Sequence, residues 1–83
     1  IKDGTVYVNG KKFIKPAATY SMSSAERSYF VLGNLAAAYQ NGHSKQQATA
    51  SGGTLYLGPQ NIMTPVNGDP SAEELAAQLN KIK

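Results

Sequence analysis

The sequence predicts a small α+β domain, and three observations carry that reading. An Asn9-Gly10 pair separates two short apolar runs, "TVYV" and "KKFI". A serine-led start, "SSAE", opens a long apolar segment that stops at Asn41-Gly42, and an amphipathic segment closes the chain after "NGDP". Between the two helical segments stands "GGTLYLGPQNIMTPV", which reads as paired short strands. The order β-β-α-β-β-α suits an α+β fold rather than an alternating parallel sheet. The expected organisation is one domain over 1–83: a β-hairpin at 4–16, a helix at 23–41, a loop at 42–53, a β-hairpin at 54–65 and a helix at 69–83.

The first hairpin is the clearest local signal. Asn-Gly tolerates the positive φ angles that a two-residue type I′ turn demands. With that turn Val8 faces Lys11 and Val6 faces Phe13, so Val6, Val8 and Phe13 share one face, with Tyr7 and Ile14 on the other. Pro16 ends the second strand, because it cannot donate to the ladder. The helix that follows starts at a capping box, with Ser23 as N-cap and Glu26 at the third position. Asn41-Gly42 supplies a left-handed stop. Its expected core stripe is Ala25, Tyr29, Leu32, Ala36 and Tyr39, yet Phe30, Val31, Leu35, Ala37 and Ala38 spread apolar surface around the remaining circumference. A surface helix shows one stripe, so this helix is expected to be covered on more than one side. Phe30, Val31, Ala37 and Ala38 are the candidate interface with another chain.

Residues 43–53, "HSKQQATASGG", read as a mobile loop. The second hairpin is expected to have strands at 54–57 and about 61–64, with Pro59 in the second position of the turn. In the last helix Asp69 is the expected N-cap and Pro70 the first helical residue. Glu73 and Glu74 favour the positive end of its dipole, and Lys81 and Lys83 the negative end. Ala72, Leu75, Ala76, Leu79 and Ile82 form its apolar stripe.

Composition narrows the functional classes. A chain of 83 residues buries a modest fraction of its surface. It has no cysteine to staple it or to hold a metal through thiolates. Oligomerisation, or docking onto a larger body, is the natural source of further burial. The net charge of +3 is a mild excess. Lys11, Lys12 and Lys15 form its only sequence cluster, and with Tyr7 and Phe13 they offer a weak nucleic-acid contact. The plainer role of such lysines is to blunt an exposed strand edge. No apolar run approaches the roughly 20 residues of a membrane span. The start at Ile1 reads as a processed product or a fragment.

Catalytic chemistry finds little support. His43 is the sole histidine, and its neighbour Ser44 cannot form a triad by adjacency, since the base needs a third group to orient it. Glu73 and Glu74 diverge by about 100° on a helix and cannot flank one substrate. Glu26, Asp69 and Glu73 already have capping or dipole roles. "SGG" at 51–53 lacks the lysine and spacing of a phosphate loop. No catalytic residue, metal ligand or cofactor site is assigned.

"SSAERSYFVLGNLAAAYQNG" together with "GGTLYLGPQNIMTPV" resembles the carboxy-terminal part of tailed-phage portal proteins. Ser24, Glu26, Arg27, Tyr29, Phe30 and Gly42 match the helical part. Gly52, Gly53, Leu55, Leu57, Pro59, Asn61 and Pro65 match the strand–proline part. The resemblance covers residues 23–66. Where the family carries a longer segment with an Asn-Glu-x-x-Arg-type helix and a Leu-Pro-Pro, this chain has "HSKQQATAS", and it lacks the clip and channel-lining parts. The resemblance implies a virion component that assembles in a ring around a DNA passage, without catalysis. The sequence is therefore read as a non-enzymatic assembly module working through a protein partner or a homo-oligomer. The alternative is a small secreted, surface or weakly nucleic-acid-binding module that uses the lysine hairpin.

Overall fold

The structure is a computed structural model and describes residues 3–83. Its fold is α+β. The elements are β1 (Val6–Val8), β2 (Lys11–Ile14), α1 (Ser24–Gln40), β3 (Ala48–Ser51), β4 (Thr54–Leu57), β5 (Gln60–Met63) and α2 (Ala72–Ile82). β1 and β2 make a two-stranded antiparallel sheet, and β3, β4 and β5 a three-stranded one in that order. α1 packs on β5 and β1, whereas α2 packs on β3, β4 and β2.

The first hairpin turns as the sequence predicts. Asn9 and Gly10 have φ angles of 53° and 76°, both positive as a type I′ turn requires. The register differs, however. Val8 faces Lys11 and Tyr7 faces Lys12, but a bulge pairs Val6 with Ile14 rather than with Phe13. The extra residue turns both Phe13 and Ile14 inward, and both are buried.

The loop expected at 42–53 contains a strand. Ala48–Ser51 pairs along its length with Thr54–Leu57 through a turn at Gly52-Gly53, whose φ angles are 58° and 78°. Ala-Thr-Ala-Ser has little strand propensity of its own; the neighbouring strand and α2 supply the reason for it to be extended. The β4–β5 turn is centred on Gly58 and Pro59, with Leu57 opposite Gln60. Pro59 thus stands third in the turn, not second, and β5 begins one residue earlier than expected.

Both helices carry complete capping boxes. Ser23 and Glu26 form the expected one on α1. α1 ends in a Schellman arrangement: the His43 N–H donates to the Ala38 carbonyl (2.8 Å) and the Gly42 N–H to the Tyr39 carbonyl (3.2 Å). On α2 the N-cap is Ser71, paired with Glu74, and not Asp69. Asp69 and Pro70 lie outside the helix, because the Asp69 carboxylate is engaged elsewhere.

The core draws on every element: Val6 and Phe13 from the first hairpin, Val31 and Leu35 from α1, Leu55, Leu57 and Ile62 from the sheet, and Leu75 and Leu79 from α2. β3 and β5 are the sheet's two edges, and each is met by a helix amide. The Asn80 side chain accepts from the Ala48 N–H (2.8 Å) and donates to its carbonyl (2.9 Å). The Asn34 amide donates to the Ile62 carbonyl (2.8 Å). Such contacts occupy backbone groups that an open edge would offer to another chain.

Candidate interaction surface

α1 is fixed against the domain by one buried ion pair. Arg27 Nη2 lies 2.9 Å from Asp69 Oδ2, with the two side chains 9% and 0% exposed. Arg27 also donates to the Ala17 carbonyl (2.7 Å), while Asp69 accepts from the N–H groups of Ala17 (2.7 Å) and Val66 (3.0 Å). The pair therefore ties together α1, the segment entering it and the turn before α2. Burial by itself pushes the Asp69 carboxyl up. The hydrogen bond from Arg27, those from Ala17 and Val66, and the Arg27 charge outweigh it and hold the carboxyl below the usual range. Next to this knot, Ser28 donates through its hydroxyl to the Gly4 and Ser24 carbonyls.

This arrangement reverses the two faces expected for α1. The inward row is Arg27, Ser28, Val31, Leu35 and Ala38, all buried. Of the four residues expected to meet another chain, Val31 (2% exposed) and Ala38 (0%) are core, Ala37 is half-buried, and only Phe30 is exposed. The stripe expected in the core faces outward instead. Ala25 and Ala36 are exposed, as are Tyr29 (63%), Leu32 (37%) and Tyr39 (40%). Two apolar rows compete for the core, and the row of smaller side chains wins. It allows close packing on β5 and β1, while the tyrosine hydroxyls stay in water, where they need no protein partner.

The outward row continues onto the first hairpin. A shallow groove of about 180 Å³ runs between them, bounded by Tyr7, Val8, Leu32, Ala36 and Tyr39. From Ser28 to Gly42 the chain has no charged side chain. A second depression of about 250 Å³ lies on the other flank of α1, with Phe30, Asn34, Asn61 and Met63 in its wall. Arg27 reaches it too, but its guanidinium is committed to Asp69 and Ala17.

The remaining candidates fall apart spatially. Lys11 and Lys12 sit at the hairpin tip. Lys15 lies at the hairpin's other end, where the end of its side chain approaches Gly4, which also neighbours Ser24. The three lysines adjacent in sequence are therefore not one patch. His43 is half-buried; its Nδ1 is 2.6 Å from the Gln46 side-chain oxygen. The sequence signal that could have placed it is the Gly42 stop, which fixes the residue after it over the helix end. Among the described residues no group of three or more His, Cys, Asp or Glu side chains could hold a metal ion, and no helix is long and apolar enough to cross a membrane. Comparison with protein-family models, curated proteins and solved structures gave no match.

Proposed function

We propose that the chain is a non-enzymatic assembly module that associates with further copies of itself through the outer face of α1. The observation that carries this reading is the exposed row Tyr29, Leu32, Ala36 and Tyr39, continued by Tyr7. These side chains leave roughly 400 Å² of mainly apolar surface open to water, given the size of aromatic residues. An apolar patch of this extent is comparable to the largest one on a typical monomer, and such patches are often functional. With Ala25, Gly33 and Gln40 around it, the face approaches the roughly 600 Å² per partner at the lower end of specific interfaces. A second copy is the favoured occupant because the chain carries no charged side chain from Ser28 to Gly42, so two such faces meet without like charges opposed. Lys12, opposite Tyr7, stands at the rim, and the net charge of +3 leaves a longer-range repulsion that salt screens. A non-catalytic role is supported by the engagement of Glu26 and Glu74 in capping, of Asp69 with Arg27, and of His43 with Gln46.

A portal-like component of a tailed-phage virion is the narrower form of this proposal, and it rests on the residue resemblance over 23–66. Light scattering across concentration tests the proposal. The expected result is a mass that rises with concentration for the unchanged chain. For Leu32→Glu a monomer with unchanged circular dichroism is expected, because a charge placed in an apolar contact has no partner there. A chain that stays monomeric at all concentrations would refute self-association.

A further inference from the structure

The tip of the first hairpin and the end of α2 meet, although the sequence separates them widely. The Asn9 amide donates to the Ile82 carbonyl (3.3 Å), and the Gln78 amide donates to the Lys12 carbonyl (3.1 Å). These bonds hold the hairpin tip against the last turns of α2, so that Lys11, Lys12, Lys81 and Lys83 all belong to one end of the molecule. Lys11, Lys12 and Lys81 are exposed and Lys83 is half-buried.

The carboxylates lie elsewhere. Glu73 and Glu74 occupy the first turn of α2, roughly 12 Å along the helix from Lys81. Glu26 is in the first turn of α1. Asp69 is held by Arg27, and Asp3 precedes β1 at the end away from the turn. Among the described residues, then, no aspartate or glutamate side chain stands at this end beside the four lysines.

We infer that this end of the molecule binds the sugar–phosphate backbone of nucleic acid without regard to base sequence. Neither groove described above is lined by these lysines, so the cluster is an outward surface and not a pocket converging on a small anion. Each lysine is a compact charge on a flexible stem, which suits a row of phosphates better than one rigid ligand. A nucleic acid also releases condensed counterions when its phosphates are neutralised, a gain that a sparsely charged acidic protein does not give. This activity goes beyond self-association and uses residues outside the Tyr29–Tyr39 row.

Fluorescence anisotropy of a short labelled DNA duplex tests it. Saturable binding at low salt is expected. The logarithm of the association constant should fall with that of salt at a slope of about −3 to −4, for four neutralised phosphates. Lys12→Gln should weaken binding and make the slope shallower by about 1. Lys15→Gln removes the same charge from the other end of the hairpin and should leave both unchanged. Absence of binding at low salt overturns the inference. So does an equal effect of Lys12→Gln and Lys15→Gln, which would reflect net charge only. Tighter binding of polyglutamate than of the duplex, at equal charge and the same salt, also overturns it, in favour of an acidic protein partner.

Discussion

Arg27 and Asp69 show how much one pair of side chains decides in a chain of this size. A domain of 83 residues has a total stability on the order of 4–12 kcal/mol. Removing one member of a buried ion pair costs about 3–5 kcal/mol, because the other charge is left without a partner. Asp69→Asn should therefore bring the protein close to its unfolding threshold at neutral pH. The pH dependence follows from the lowered Asp69 carboxyl. Its contribution is complete above the unfolded value of about 3.9, and it is lost as pH falls through the lower folded value. The gap in melting temperature between the unchanged protein and Asp69→Asn should be wide at neutral pH and narrow in strong acid. Circular dichroism melts at the two pH values check this, and an equal gap at both would show that the carboxylate's charge is not what stabilises. The sequence concealed the pair. Asp69 before Pro70 has the form of an N-cap, and Arg27 in the first turn of a helix has the form of a solvated charge. Only their approach across the fold makes them a tie.

Local chemistry announced the elements well where a short motif decides them. Asn9-Gly10 fixed its turn, the Ser23–Glu26 box started α1, and Gly42 ended it. What escaped was set by neighbours. β3 is made of Ala48, Thr49, Ala50 and Ser51, residues that become a strand by pairing with β4 and by the Asn80 clamp on Ala48; its one local clue was the Gly52-Gly53 pair. The faces of α1 escaped for another reason. Its periodicity contains two apolar rows, and Arg27 and Ser28 disguised the start of the inward one. Adjacent residues on those rows make opposite forecasts. Val31 is 2% exposed, so Val31→Glu buries a charge without a partner, at a cost of several kcal/mol, and should unfold the chain. Leu32→Glu places the same charge one residue further round the helix, where the face is open, and should leave the fold intact. Helical circular dichroism separates them. A folded Val31→Glu protein would contradict the inward placement of that row.

At the scale of the whole molecule, the apolar row of α1 and the lysine end adjoin on the first hairpin, where Tyr7 stands opposite Lys12, but their physics differs, and salt should drive them in opposite directions. Contact through Tyr29, Leu32 and Tyr39 is a burial of apolar surface, which sulfate strengthens by exclusion from the protein surface. Added salt also screens the repulsion between copies that each carry a net charge of +3. Contact of Lys11, Lys12, Lys81 and Lys83 with phosphates is weakened by every increment of salt, since it depends on counterion release. Raising sodium sulfate should therefore raise the mass seen by light scattering while it lowers DNA binding by anisotropy. The variants should separate in the same way. Leu32→Glu is expected to abolish association and to retain DNA binding as a monomer, whereas Lys12→Gln is expected to retain association and weaken DNA binding. If association and DNA binding weakened together as salt rose, self-contact would be electrostatic, and the neutral face of α1 could not be the surface that makes it.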